Sequence, residues 1–179
     1  GALATYTPDA DYNGSDSFTY FASDGDLSSE ATVTLSIDAV NDAPVLATVS
    51  NVSFDEDESS DAVTLSASDI DGDALTFSIT GGTYITAILD GDQLSFSAAT
   101  NFNGSESFTV SVADDEYTDT QVLNVTVLPV NDAPVAENVT ETTIEDQSVV
   151  VSLSGTDIDG DNLTFSLGTE ALNGTVTLE

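Results

Sequence analysis

The chain repeats itself with a period of about 90 residues, and this period sets the size of the unit that it can fold into. The hexapeptide VNDAPV begins at position 40 and again at position 130, a shift of 90. The segment YNGSDSFTY at 12–20 returns as FNGSESFTV at 102–110, with the same shift. Two unrelated motifs with one common spacing predict a repeated domain rather than a repeated loop.

The repeat also places the domain boundaries. The acidic motif DIDGD begins at position 69 and again at 157, a shift of 88, so short loop deletions separate the matching units. We predict one complete unit at 43–132. The C-terminal half of another unit precedes it at 1–42, and the N-terminal half of a further unit follows it at 133–179.

Within a unit, apolar and polar residues alternate with the period of two that half-buried strands show. Val33, Leu35 and Ile37, for example, share one face of the segment ATVTLSI. The same alternation occurs at Phe108, Val110 and Val112, at Leu75, Phe77 and Ile79, and at Val149, Val151 and Leu153. About seven such strands per unit, with turn residues between them and no helical period, predict an all-β fold of antiparallel Greek-key β-sandwiches.

The charge composition predicts a cation from outside the chain. The 179 residues include 33 Asp and Glu and no Lys, Arg or His, which gives a formal net charge of −33. A solvated, repelling surface accounts for part of this charge but not for its clustering. A carboxylate that loses water needs a hydrogen bond, a proton or a cation. Because closely spaced Asp oxygens favour calcium, we predict Ca²⁺ as the cofactor.

The same composition excludes several functions. Without His, Cys or Lys the nucleophile–base pairs of hydrolases are missing, and carboxylates that recur at the domain period are unlike a catalytic pair, so we predict no enzyme. An acidic surface repels phosphate backbones, which argues against nucleic-acid binding. No apolar run approaches the roughly 18 residues of a membrane span. The absence of cysteine fits a secreted protein, although it fits other compartments too.

These motifs together resemble those of cadherin repeats. Such repeats carry an acidic residue after the first strand, a DxD before an LxYSI-like strand, an AxDxG after a late strand and a DxNDNxP linker. The corresponding residues here are Glu56 and Glu145, Asp69-Ile70-Asp71 and Asp157-Ile158-Asp159, Ala22-Ser23-Asp24, and the linker at 38–44. The resemblance covers the whole chain and is greatest to the bacterial cadherin-like tandem repeats of large secreted adhesins, whose linkers read NDAP. It implies tandem cadherin-like or Ig-like sandwiches in a linear rod, at the cell surface or secreted.

Sandwich topology predicts where the carboxylates meet. The loops after the second and sixth strands lie where the chain enters a unit, and those after the first and fifth lie where it leaves. The first junction is therefore expected to collect Asp16, Asp38, Asn41, Asp42, Asp69, Asp71, Asp73 and Asp114. The second is expected to collect Glu56, Asp57, Glu106, Asn131, Asp132, Asp157, Asp159 and Asp161. Calcium takes six to eight oxygens in flexible geometry, so each group could bind it.

These residues also have interpretations that involve no metal. DIDGD is also typical of an Asp-Gly turn, and Asp114 of a hairpin turn. Asp16 and Glu106 stand where cadherins have an LDRE segment, and Leu128 of the second linker replaces Asp38 of the first, so the two junctions need not bind calcium equally.

We interpret the chain as a calcium-stiffened extracellular spacer of an adhesin, matrix protein or fibre. Its partners would be neighbouring repeats, with a glycan or cell-surface target bound by other domains. The alternative is a calcium-dependent carbohydrate-binding module, although without Trp only Tyr6, Tyr12, Tyr84 and Tyr117 remain as stacking surfaces.

The two incomplete units suggest pairing between chains. They hold 42 and 47 residues, together 89, which is close to one repeat of 90. We expect two half-sandwiches at the ends of a rod, complementary in trans, in head-to-tail copies or in a longer array.

Overall fold

A computed structural model describes residues 1–178, and its regular secondary structure consists of β-strands. The first two strands, β1 (Gly14–Ser23) and β2 (Ser28–Ile37), form an antiparallel two-stranded sheet. Asp24 closes the turn between them by accepting hydrogen bonds from the backbone N–H groups of Asp26 and Leu27. Over residues 1–178 there is no helix of the length and hydropathy needed to cross a membrane.

The middle of the chain folds as a two-layer sandwich. One layer has the strand order β4-β11-β10-β7 and the other β5-β9-β8, with a short β3–β6 pair beside them. The bounds are β3 Val45–Leu46, β4 Val52–Asp55, β5 Val63–Thr64, β6 Ala67–Ser68, β7 Thr76–Gly81, β8 Ile85–Asp90, β9 Gln93–Ala98, β10 Gly104–Ala113 and β11 Thr118–Leu128. The predicted all-β class is confirmed.

The core lies between these layers and follows the predicted alternation. Phe108, Val110 and Val112 of β10 are buried, as are alternate residues of β11. Phe96 of β9 meets Phe108 edge to face, with ring centroids 5.0 Å apart, so one aromatic pair joins the two layers. The apolar side chains thereby fix which face of each strand points inward.

One pairing departs from the expected antiparallel pattern. Strand β4 runs parallel to β11, from the pair Val52–Val125 to the pair Asp55–Leu128. The preceding β3 pairs antiparallel with β6 in a separate two-stranded sheet. The first edge of the sandwich is therefore split between two sheets.

The last part of the chain contains only short pairing among the described residues. Strands β12 (Val135–Ala136) and β13 (Gly155–Thr156) pair as β3 and β6 do. The strand predicted through Val149, Val151 and Leu153 does not form. In the sandwich, the equivalent β5 is paired with β9, and residues 133–178 contain no strand in the position of β9, so the backbone groups of this segment lack a ladder.

Candidate metal centre

The DIDGD loops combine a turn with a carboxylate cluster. In the first loop, Asp69 Oδ1 accepts hydrogen bonds from the backbone N–H groups of Asp71 (2.9 Å), Gly72 (3.0 Å) and Asp73 (3.3 Å). Gly72 has φ +80°, a conformation that side chains other than glycine's rarely allow. The turn therefore occupies one oxygen of Asp69 and leaves Asp71 and Asp73 free to point their carboxylates elsewhere.

Those three carboxylates come together. Asp69, Asp71 and Asp73 each offer one oxygen within 4.8 Å of the others. Loss of water, followed by the charges of Asp69 and Asp71, raises the pKa of Asp73. Three like charges at this distance repel each other unless a proton or a cation lies among them.

The linker is hydrogen-bonded to this loop. The backbone N–H of Asp42 donates to Asp71 Oδ2 over 2.8 Å, and Asn41 Nδ2 donates to Asp114 Oδ2 over 3.1 Å. Asp42 is half-buried, and its pKa is raised by loss of water and then by Asp11, Asp71 and Asp69. The linker thus adds a further carboxylate to the cluster.

The second junction repeats the bond between linker and loop. The backbone N–H of Asp132 donates to Asp159 Oδ2 over 2.7 Å, and Asp157 Oδ1 accepts from the N–H groups of Asp159 and Asp161, each at 3.1 Å. The pKa of Asp132 is raised by loss of water and then by Asp159, Asp57, Glu56 and Asp157. The backbone bond from the linker to the DIDGD loop therefore occurs twice, 90 residues apart along the linkers.

The preceding loop supplies two more carboxylates to this junction. Glu56 is only 3% exposed and accepts hydrogen bonds from the backbone N–H of Val130 (2.7 Å) and from Asn103 Nδ2 (3.4 Å). Asp57 accepts a bond from the N–H of Asn101 over 2.9 Å. These bonds tie the loop after β4 to the linker and to the segment before β10.

One carboxylate oxygen at each junction is buried without a partner. Asp69 Oδ2 and Asp132 Oδ2 have almost no exposed surface and make no hydrogen bond within residues 1–178. A buried carboxylate oxygen without a partner is costly, and the sequence has no cationic side chain to supply one. Hard, oxygen-only donor sets of this kind fit Ca²⁺. The residues present therefore fit the predicted ion.

Other predicted ligands have their contacts elsewhere. Glu106 accepts hydrogen bonds from three successive backbone N–H groups, those of Thr83 and Tyr84 in the loop between β7 and β8 and that of Ile85 at the start of β8. Burial alone would raise the pKa of Glu106, but these three bonds lower it. The carboxylate is thus engaged within the sandwich.

Three further predicted residues have no contact with the DIDGD carboxylates among the hydrogen bonds of residues 1–178. Asp16 accepts from the Tyr6 hydroxyl and from the N–H of Ser17, both at 2.7 Å, and these bonds lower its pKa. Asp38 is exposed directly after β2. Asn131 Nδ2 donates to the Asp132 carbonyl, whereas its counterpart Asn41 reaches Asp114.

Sequence reasoning missed Asp11. Its charge is second only to the loss of water among the causes that raise the pKa of Asp42. Asp11 and Asn101 are 90 positions apart, both have positive φ (58° and 54°), and Asn101 bonds to Asp57 at the second junction. The residue before YNGS and FNGS occupies the junction in both copies, and the repeat itself was the signal that could have identified it.

Comparison with known proteins finds a family that matches the chain. The model of a family described as bacterial Ig domain matches residues 1–36, 41–126 and 131–179. No curated protein matches the chain significantly.

Solved structures give weaker likenesses. Human protocadherin-24 EC1-2 is 25% identical, with a TM-score of 0.45, over 66% of this chain and 61% of that chain. An endo-fucoidan hydrolase of glycoside hydrolase family 107 is 27% identical, with a TM-score of 0.39, over 69% of this chain and 20% of that chain. The surface layer protein SbsC, domains 4-9, is 12% identical, with a TM-score of 0.31, over 89% of this chain and 27% of that chain. The chain spans about a fifth of the hydrolase and three fifths of the protocadherin.

Proposed function

Because the chain belongs to the bacterial Ig domain family, we propose that it is an adhesin-type extracellular spacer that Ca²⁺ stiffens at the junctions between successive units. The main support is the buried, unpartnered oxygen at each junction, on Asp69 and on Asp132, in a chain without a cationic side chain. A divalent cation would partner these oxygens and neutralise the carboxylates around them.

The ligands come from both sides of each junction. At the first, the ion would be held by Asp42, Asp69, Asp71 and Asp73, with Asp11 and Asp114 beside them. At the second, it would be held by Glu56, Asp57, Asp132, Asp157 and Asp159. Asp16 and Glu106 are proposed ligands of lower rank, because their carboxylates accept hydrogen bonds from other parts of the chain. The remaining proposed ligands are Asp38, Asn41, Asn131 and Asp161.

Stiffening follows from the way these ligands are connected. Linker residues Asp42 and Asp132 each donate a backbone N–H to the DIDGD loop that follows. An ion shared by linker and loop would add strong bonds across the same gap. It would also remove the carboxylate repulsion that, after loss of water, raises the pKa of Asp42 and Asp132. Bending at the junction would then require breaking metal–oxygen bonds.

In this proposal the units are 1–42, 43–132 and 133–179, and their partners are neighbouring repeats of the same kind. The chain has no catalytic role, and a target is bound by other parts of a larger surface protein. No specific contact favours the carbohydrate-binding alternative: Tyr84 stacks on Phe102 with ring centroids 5.0 Å apart, and the hydroxyls of Tyr6 and Tyr12 bond within the chain.

Calorimetry and small-angle scattering test the proposal together. We expect calcium titration to release or absorb heat, to extend the scattering profile and to raise the melting temperature, each reversed by a chelator. Free calcium at 100 times its dissociation constant would stabilise the folded state by about 2.7 kcal/mol. Unchanged maximum dimension and unchanged melting on chelation would overturn the proposal. Magnesium serves as the control, because it holds its water more tightly and requires stricter geometry.

A further inference from the structure

The start of the second linker is bonded to the sandwich that precedes it. Glu56 follows β4 directly, and its backbone N–H donates to the carbonyl of Leu128 over 2.9 Å. Pro129 has no N–H to donate, so Val130 is the first linker residue that can bond to the sandwich. The N–H of Val130 donates to Glu56 Oε1 over 2.7 Å. The linker is therefore attached to the sandwich as far as this N–H group.

The side chain of Glu56 takes over the pairing of β4 with β11 where the backbone turns away. Asp57 has φ +62°, which is far from the extended conformation of a strand. Glu56 is only 3% exposed, and its Oε2 accepts a hydrogen bond from Asn103 Nδ2 over 3.4 Å. The turn recurs 89 positions later, where Asp146 follows Glu145 with φ +65°. A buried carboxylate with two partners has little freedom, so it holds Val130 in one place.

The end of each linker is bonded to the unit that follows it. The backbone N–H of Asp132 donates to Asp159 Oδ2, and that of Asp42 donates to Asp71 Oδ2. Two positions after Asp42, Pro44 is fully buried in the complete sandwich. From the N–H of this Asp onward, the linker therefore belongs to the following unit.

Only Val130 and Asn131 lie between the two fixed N–H groups of the second linker. The N–H of Asn131 makes no hydrogen bond within residues 1–178, and its side chain reaches only the neighbouring carbonyl of Asp132. Each residue contributes two soft backbone angles. The β-branched side chain of Val130 favours an extended backbone, whereas Asn tolerates several conformations, including the left-handed one. The freedom of the linker is thus concentrated at Asn131.

We propose that bending between the sandwich and the following unit is confined to Val130 and Asn131, and that Glu56 is the positioning residue that sets the upstream limit. Without the bond from Val130 to Glu56, the free segment would begin at Pro129, directly after β11. The inference rests on hydrogen bonds within the chain and not on the proposed calcium. An ion at this junction would have only two residues left to immobilise.

Amide hydrogen exchange of the full chain in chelator tests this pattern directly. We expect the N–H groups of Val130 and Asp132 to exchange at least about tenfold more slowly than that of Asn131, each relative to its intrinsic rate. Exchange at Val130 as free as that at Asn131 would overturn the role of Glu56. Free exchange at Asp132 would overturn the downstream limit of the hinge.

Two variants of Glu56 separate positioning from general stability. Glu56→Ala removes the acceptor, so Val130 should lose its protection, and its backbone order parameter from ¹⁵N relaxation should fall. Glu56→Gln keeps an oxygen in the place of Oε1 and should retain both. Exchange at Val125, buried in the middle of β11, shows whether each variant is folded.

Unchanged protection of Val130 in folded Glu56→Ala would overturn the proposal. If this variant does not fold, the exchange pattern of the unmodified chain decides. Calcium is then added to the same samples. Protection of Val130 in chelator with no heat of calcium binding would support the confined hinge and reject the calcium function. Calcium binding by a chain whose Val130 is unprotected in chelator would support the calcium function and overturn the confined hinge.

Discussion

The backbone N–H of Asp132 donates to Oδ2 of Asp159 over 2.7 Å. The bond at the first junction, from Asp42 to Asp71, measures 2.8 Å. The two linkers differ upstream, at Asp38 and Leu128, yet they engage the DIDGD loop in the same way. One carboxylate oxygen of the loop therefore binds the backbone of the linker, and the linker's own Asp carboxylate takes no part in that bond.

This relationship allows a charge to be removed without removing the bond. Asp71→Asn and Asp159→Asn each keep an oxygen that can accept the linker N–H and lose one negative ligand. We expect each variant to weaken calcium binding at its own junction, measured by calorimetry, with little change in unfolding of the sandwich core. Asp90→Asn, an exposed carboxylate at the end of β8, is the charge-matched control. If Asp71→Asn unfolded the sandwich outright, Asp71 would belong to the turn rather than to a metal site.

The raised pKa values predict an unusual response to acid in chelated protein. Loss of water and neighbouring carboxylates raise the pKa of Asp42, Asp73 and Asp132. A raised pKa stabilises the fold fully below the ordinary value, and this contribution is lost as the pH rises through the raised value. We therefore expect the melting temperature to rise as the pH falls from 7 to about 4, the ordinary carboxylate value.

Calcium should reverse that trend, because protons and the ion compete for the same oxygens. Below about pH 4 both forms should lose stability, since the lowered pKa values of Glu106 and Asp114 reflect bonds to the ionised forms that protonation weakens. Calorimetric melting across this range, with and without chelator, measures both slopes. Identical slopes in the two conditions would contradict a metal at these carboxylates.

Glu106 offers a test that separates folding from metal binding. Glu106→Ala removes the acceptor of three backbone N–H groups in the loop after β7. Leaving buried donors unpaired typically costs about 1–3 kcal/mol each, less where water can reach them. We expect a lower free energy of unfolding, measured by denaturant titration, and unchanged calcium affinity. A loss of calcium affinity without a loss of stability would return Glu106 to the metal site.

Gly82 is the position where a single methyl group should cost the most. A Cβ there would lie 2.2 Å from the Ile85 carbonyl oxygen and 2.8 Å from the ring of Phe108, and φ is +81°. Gly91 also has positive φ, +63°, but its Cβ would meet nothing within 4 Å. Gly82→Ala should therefore lower the free energy of unfolding several-fold more than Gly91→Ala, for which the backbone strain costs about 1 kcal/mol. Equal losses, measured by thermal unfolding, would show that the loop relaxes.

Most of the sandwich could be predicted from the sequence, because apolar residues that alternate with polar ones along a strand are the residues that become buried. Phe108, Val110 and Val112 were predicted to share a core face, and all three are buried. Alternation alone could not predict that Val149, Val151 and Leu153 would stay out of a strand, since pairing needs a partner as well as a pattern. The parallel pairing of β4 was also missed, because direction depends on how the chain crosses between sheets.

The candidate site could likewise be predicted only in part from the sequence. DIDGD and the linker Asp residues were found because they repeat, and the structure brings Asp42 to Asp71 and Asp132 to Asp159. Whether a given carboxylate faces the junction depends on loop geometry, which spacing does not encode. Asp11 reaches the junction and Glu106 turns toward the backbone of the β7–β8 loop for that reason.

The parallel pair β4–β11 has a mechanical consequence. The chain enters the sandwich ahead of β4 and leaves it after β11, and four residue pairs join the two strands side by side in the same direction. Tension applied at the two ends of the sandwich would slide these strands lengthwise, so that their hydrogen bonds share the load instead of opening one at a time. We expect the unit to resist stretching through this pair, and its lifetime under force to be governed by the rate of unfolding rather than by equilibrium stability.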